Sequence, residues 1–291
     1  MPWSPAHPNH AIERVTVLFQ FGENVPSRLW ESILAQASER SSALGFTSAV
    51  DEMEMNFMPL PVGQPAPGAV FPQMFFGHGG GNQPAQTRAG RTFQVIEDGV
   101  VREQLSLRRN LFFYSIPTYT SWIDLRDRIQ NLVSSYLDSV MASISLSTMK
   151  LEYWDRFVFE GAEEGLSYSE LFREGSRNLP AFPFGLTDLW HSHVGYFIPS
   201  NSAARRLFNL NVDMVEGTEP AQGLMPPTPR RRSAGLYSMV QDSYEAQAAP
   251  PNWTAMSLIL DEMHGILNAS VSDTITDGMA SMINLNAQGE S

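Results

Sequence analysis

The sequence predicts an α+β fold made of two tandem strand-helix-three-strand-helix repeats, with mostly antiparallel sheet covered by helices. Three observations carry this expectation. Residues 12–140 and residues 144–285 read in the same order of elements. Each half ends on a helix opened by a tryptophan, Trp122 in Thr120-Ser-Trp-Ile-Asp-Leu and Trp253 in Pro251-Asn-Trp-Thr-Ala-Met. Between the helical stretches lie runs of β-branched and aromatic residues broken by Gly, Pro, Asn and Asp, the pattern of strands joined by turns. The chain then divides into a first repeat at 1–142 and a second at 143–291.

In the first repeat, Ile12 to Phe21 reads as a strand. Asn24-Val-Pro-Ser27 punctuates, and Pro26 suits a first helical turn, where its missing N–H costs nothing. Leu29, Trp30, Ile33, Leu34, Ala37 and Leu44 recur at helical spacing until Gly45. Phe46 to Phe57 alternates and predicts a second strand. Residues 59–90 are dense in Pro and Gly, a long loop of the kind that carries function or lacks order. Arg91 to Glu97 leads into Asp98-Gly99, a strong hairpin signal. The return strand runs from Val100 to Tyr114, and residues 120–140 form an amphipathic helix.

In the second repeat, Ile144 to Phe159 has strand composition. Ser167-Tyr-Ser-Glu170 has the form of a capping box and predicts a short helix ending near Asn178. Strands follow at 188–198 and 204–215. The segment 217–229 is a Pro-rich loop, 231–246 is a strand, and 252–285 is helical with a break at Gly265 or Asn268. Physically, one unit has a sheet with one apolar face and two helices to cover it. Two units joined edge to edge hide two strand edges, build one core and leave the opposite sheet face as a platform for a partner.

Composition narrows the chemistry. The chain has 291 residues, 43% hydrophobic, so it can bury a core without disulfides. It has no Cys, which removes thiol nucleophiles, Cys-ligated zinc and iron–sulfur clusters. No apolar run is long enough for a membrane span and Met1-Pro-Trp-Ser-Pro is no signal peptide, so a cytoplasmic protein is expected. The net charge of −12 opposes nonspecific binding to nucleic acid. Lys150 is the only lysine and has no glycine-rich loop before it, so neither a P-loop nor a Schiff base is indicated.

Several constellations have both a chemical and a bland reading. His191-Ser-His193 puts two imidazoles on one strand face and is the metal candidate, with Asp188 as a possible third ligand. Two ligands without a third are not a signature, and two polar positions on a half-exposed strand are the simpler reading. His78-Gly-Gly-Gly-Asn82 resembles an oxyanion loop, but no Gly-x-Ser-x-Gly elbow accompanies it, and a loop tip is the simpler reading. His264 in Asp261-Glu-Met-His-Gly reads as a surface or capping residue. Asp273 and Asp277 read as a helix N-cap and its neighbour rather than a cation site. Arg230, Arg231 and Arg232 form a basic cluster that suits an acidic partner, or a charged strand edge that blocks unwanted pairing. Phe71, Met74, Phe75 and Phe76, with Met58, form an apolar loop cluster that suits a contact with another chain.

The strand Ile12 to Phe21, the stretch Tyr119-Thr-Ser-Trp122, and Leu260-Asp-Glu-Met-His264 followed by Thr276-Asp277 together resemble the sporadically distributed family of bacterial proteins to which no activity is assigned. Members carry an Arg-Tyr-x-Asn-like stretch on the strand after the Trp helix, where this chain has Met149-Lys-Leu-Glu-Tyr-Trp-Asp155. The resemblance implies no catalytic residues and no cofactor. Its scattered distribution implies a mobile or defence-related locus.

The functional expectation is a non-enzymatic binding, scaffolding or regulatory protein, with another protein or a second copy as partner. Two alternatives are a metal-dependent hydrolase centred on His191 and His193, and a clamp-like nucleic-acid-binding protein whose helices present Arg126 and Arg128.

Overall fold

The computed structural model describes residues 2–8, 10–54, 87–117, 119–161, 165–217, 231–245 and 247–285. The strands are β1 (Trp3–Pro5), β2 (Ile12–Phe21), β3 (Ser48–Glu54), β4 (Thr87–Glu97), β5 (Val100–Arg108), β6 (Leu111–Ile116), β7 (Leu146–Phe159), β8 (His191–Ile198), β9 (Arg205–Gly217) and β10 (Arg231–Ser243). The helices are α1 (Ser27–Ala43), α2 (Trp122–Met141), α3 (Trp253–Thr274) and α4 (Asp277–Met282).

The strands form one 10-stranded sheet in the order β3-β4-β5-β6-β2-β7-β10-β9-β8, with β1 also paired to β7. Every pairing is antiparallel. The strands from before residue 142 lie on one side of the β2–β7 junction, and those from after it lie on the other. The junction runs from Ile12↔Asp155 to Phe21↔Leu146.

Period-2 alternation explains which side is buried. Val15, Val17 and Phe19 on β2 share a face with Met149, Leu151 and Tyr153 on β7, and all are buried. The inward faces of α1 (Trp30, Ile33, Leu34, Ala37), α2 (Leu125, Ile129, Leu132, Val133, Tyr136) and α3 (Met256, Leu260, Met263, Leu267) belong to the same core. α1 packs on α2, α2 on α3, and α3 on β7 and β10.

Local signals act as expected in several places. Asp98 and Gly99 both take positive φ, 51° and 76°, as a primed hairpin turn between β4 and β5 requires. Gly45 ends α1 with φ of 89°. Ser121 accepts from the Asp124 amide at 3.1 Å and opens α2, and Asn252 accepts from the Ala255 amide at 3.0 Å and opens α3.

Other expectations are corrected. The long return strand is two strands, because a turn at residues 109–110 folds β6 back onto β5; four strands therefore follow α1 instead of three. The helix expected from Ser167 to Asn178 is a 3-10 turn at Tyr168–Glu170, since the Ser167 hydroxyl bonds Ser169 and not the helix, and Gly175 has a φ of 83°. The two halves thus differ in their number of strands and in where their helices fall. α3 runs unbroken through Gly265 and Asn268. It ends at Thr274 because the next residues leave the helix to bond a loop, with Arg173 N–H on Thr274 O and Thr276 N–H on Leu171 O, both 2.9 Å. Asp273 sits in the last turn of α3 and caps that loop, accepting from Ser176, the Arg177 amide and Asn178. The loop cluster at Met58 to Phe76, the His78 glycine run and most of 217–229 lie outside the described residues.

Candidate functional site

β1 and β2 pair with the same side of β7, Trp3 opposite Phe159 and Ile12 opposite Asp155. Residues 7–10 leave the sheet between them, while Ala6 N–H donates to Arg156 O at 2.9 Å and Arg156 N–H to Ala11 O at 2.8 Å. His7 and His10 bridge this excursion, and their rings stand 4.8 Å apart. A bulge between Ile12 and Arg14 completes the irregularity. The result is a gap in the sheet beside Asp155, on the core side.

That gap is a cavity of about 270 Å³. Its polar walls come from His10, Tyr119 ahead of α2, Tyr153 and Asp155 on β7, and Asn268 on α3, with Asn284 near the end of the described chain. Tyr119 stands edge-on to both His10 and Tyr153, with ring centroids 6.1 and 6.0 Å apart. Two buried atoms on these walls, His10 Nδ1 and Asp155 Oδ2, have no hydrogen-bond partner, and the Tyr119 hydroxyl has only the Tyr153 side chain beside it. Buried polar groups in folded proteins are nearly always fully paired, so this spare capacity around one cavity points to something that belongs inside it.

A hydrogen-bonded relay backs the cavity. The Tyr153 hydroxyl lies 2.7 Å from His264 Nδ1, and His264 Nε2 lies 3.0 Å from Asn268 Nδ2. An amide nitrogen only donates, so with Asn268 assigned this way Nε2 accepts and Nδ1 carries the ring proton. Tyr153 oxygen then accepts from Nδ1, which leaves its own O–H to donate elsewhere. Trp122 stacks flat on His264 at 4.5 Å and 6°. The Trp122 indole N–H donates to Asp261 at 2.6 Å, and Asp261 also pairs with Arg126 at 3.1 Å. The imidazole is thus held by a ring above it and by partners at both nitrogens.

Burial sets the protonation of the site. It raises the Asp155 carboxyl to about 7, and the nearby Glu13 charge adds to the rise. It lowers His264 to about 4 against the opposing pull of Asp261. It lowers His10, where His7 adds to the effect, and it raises the phenols of Tyr119 and Tyr153. Near neutral pH the site holds neutral imidazoles, neutral phenols and one carboxyl balanced between its two forms.

The residues singled out from sequence fall elsewhere. His191 and His193 are exposed on the edge strand β8, opposite Asp213 and Asn211. Asp188 is occupied in accepting from the Leu189 amide at 2.7 Å. Among the described residues no three His, Asp or Glu side chains gather as a metal site would require. Arg232 is engaged internally with Glu216, the Thr187 carbonyl and Tyr168. Arg231 is placed as the backbone partner of Gly217, and Arg230, Phe71, Met74, Phe75 and Phe76 lie outside the described residues. Arg126 and Arg128 are paired with Asp261 and Glu103, so neither is a free cation for phosphate.

His264 is corrected from a surface residue to the centre of the relay. A usable signal was present: Leu260, His264, Leu267, Asn268 and Val271 share one stripe of α3 by i, i+3, i+4 spacing. His10, Tyr153 and Asp155 carried no local signal of this kind. Two stretches that carry the family resemblance, Tyr119–Trp122 and Leu260–His264, meet here beside Met149–Asp155, where the chain departs from the family's pattern. No protein-family model matches the chain, and no curated protein is significantly similar to it. Among the described residues no helix is long and apolar enough to cross a membrane.

Proposed function

We propose that this is a ligand-binding protein whose site is the cavity between β2, β7 and α3, and that it holds a small polar molecule. The observation that carries this reading is the set of buried polar atoms with unused hydrogen-bonding capacity around one void: His10 Nδ1 and Asp155 Oδ2, which have no partner, and the Tyr119 hydroxyl, which has only Tyr153 beside it. Leaving a buried polar group unpaired costs about 1–3 kcal/mol each. A ligand that pairs His10 and Asp155 recovers that cost on binding. Membership of the sporadically distributed family is part of this reading, supported by the convergence of its quoted motif residues on the cavity. So is descent from a duplicated unit, supported by the way the strands of each half lie on opposite sides of the β2–β7 junction.

The test is a thermal-shift screen of small polar metabolites on the purified protein, joined to mass spectrometry of molecules released when it is denatured. A ligand that raises the melting temperature of the wild type, and fails to raise that of Tyr119→Phe or Asp155→Asn, supports the reading. A crystal structure showing only ordered water bonded to all three atoms, with no ligand from the screen, overturns it.

A second reading, a scaffold that binds another protein, rests on the other face of the sheet. There Arg14 lies 4.5 Å over the Trp154 ring, Tyr237 lies 4.7 Å from Trp154, and Trp154 is 39% exposed at the middle of the sheet. An exposed Trp and Tyr with an Arg is the composition of interface hot spots. The placement of such a protein in a mobile or defence-related bacterial locus belongs to this reading. Cross-linking in its native host that fails to trap a partner through residue 154 would remove it.

A further inference from the structure

The chemistry of the cavity walls restricts what fits. Resting on the reading above, we propose that the ligand carries an organic ammonium group, seated on Asp155 and enclosed by the rings of His10, Tyr119 and Tyr153. Among the described residues lining the cavity there is no Lys or Arg, so nothing there neutralises an anionic ligand. Asp155 is 5% exposed, and its Oδ2 has no partner. The second carboxylate in its field, Glu13, is paired with Arg156 at 2.8 Å, which leaves Asp155 without a counter-ion of its own. A buried carboxylate without a cation is unfavourable, and a ligand that brings the cation removes the penalty.

Donor and acceptor inventory agrees. Asp155 Oδ2, the Tyr119 oxygen and a neutral His10 nitrogen can all accept, and an ammonium offers only donors. The rings supply the remaining contact. Tyr119 meets His10 and Tyr153 edge-on, and all three rings line the same cavity as the Asp155 carboxyl. Ring faces attract cations by about 2 kcal/mol when the site is desolvated. A cavity of about 270 Å³ takes an amine of a few carbons rather than a drug-sized molecule.

The test titrates the full-length protein with n-butylammonium, its neutral counterpart n-butanol and its anionic counterpart butyrate, read by changes in the NMR spectrum. At pH 8 butylammonium is expected to bind at least about tenfold tighter than n-butanol, and butyrate not at all. Asp155→Asn is expected to remove the preference for the amine. A second measurement on the wild type does not depend on that variant folding. Asp155 has Glu13 of β2 in its field and shares the cavity wall with His10, Tyr119, its strand neighbour Tyr153, and Asn268 from α3. With a carboxyl that must ionise to hold the cation, affinity for butylammonium rises by up to about tenfold per pH unit from pH 5 to 7 and then levels off.

Equal binding of n-butanol and butylammonium, or affinity that falls as pH rises, overturns the ammonium assignment. It leaves the pocket standing if a neutral ligand from the screen still depends on Tyr119. Failure of all three probes together with an empty screen removes both readings.

Discussion

Asp155 and His264 face the same hydrogen-bonded neighbourhood from β7 and α3, and burial shifts them in opposite directions. Asp155 titrates near 7 in the folded chain against an ordinary 3.8, so its contribution to stability is full at acid pH and is lost as pH rises through 7. His264 titrates near 4 against an ordinary 6.5, so its contribution is present above 6.5 and is lost as pH falls through 4. Each slope is at most about 1.4 kcal/mol per pH unit, and between about pH 4.5 and 6.5 they oppose one another. His10, also lowered, acts in the same sense as His264. Removing Asp155 as Asp155→Asn should make stability rise more steeply with pH across this window. His264→Gln should tilt it the other way. Urea unfolding at several pH values reads both, and parallel slopes in the variants and wild type would contradict the buried titration described here. Neither residue advertised this role. A carboxylate two places after Tyr153 on a strand looks like any polar position until the β1–β2 excursion is known to leave a gap beside it. His264 was misread because the acidic residues Asp261 and Glu262 suggested a solvent face, whereas the i, i+4 relation to Leu260 and Asn268 placed it on the buried one.

Elements follow their local signals where those signals concern backbone geometry. The Asp98-Gly99 turn and the Gly45 stop depend on a few neighbouring residues, and both are found as read; the Ser121 and Asn252 caps are equally local. Gly265 shows the converse. Its composition suggested a break, yet α3 passes through it because Leu260, Met263, Leu267 and Val271 are buried on either side of it. No atom lies within 4 Å of where a Cβ would stand on Gly265. Gly265→Ala should therefore stabilise the protein by about 0.5–1 kcal/mol, seen as a higher melting temperature. A loss of stability would mean that the backbone there is not simply helical. The expected helix at Ser167–Asn178 failed for the reason Gly265 succeeded: the buried stripe Tyr168, Leu171 and Phe172 lasts one turn and meets Gly175 and Ser176 at the next, and loop bonds to Asp273 take the backbone and side-chain donors instead.

Across the whole molecule, one buried ionic group ties α3 to the sheet. Arg206 on β9 and Asp242 on β10 have fully buried side chains and form a two-pronged pair at 2.7 and 2.8 Å. Arg206 also reaches Glu262 on α3 at 2.8 Å, and Asp242 accepts from Tyr244 at 3.2 Å. Glu262 lies two residues from His264, so this network helps fix the height of the helix that backs the cavity. Arg206→Ala leaves Asp242 charged and uncompensated in the core and should cost about 3–5 kcal/mol in urea unfolding. The double change Arg206→Met with Asp242→Leu should recover much of that loss. Additive losses in the double variant would show that the pair is not coupled.

The sequence by itself determined the class of fold, most strand positions and the turns and caps between them. Each of these rests on side-chain periodicity or on the conformational preferences of a few adjacent residues. It also ruled out thiol chemistry, because the chain has no cysteine. The tertiary structure alone decided that β2 and β7 are neighbours, that residues 7–10 leave the sheet near Asp155, and that Tyr119 and His264 meet Tyr153 from segments distant in the chain. Burial and proximity are properties of distant segments meeting, and no local pattern encodes the desolvation that makes those side chains unusual.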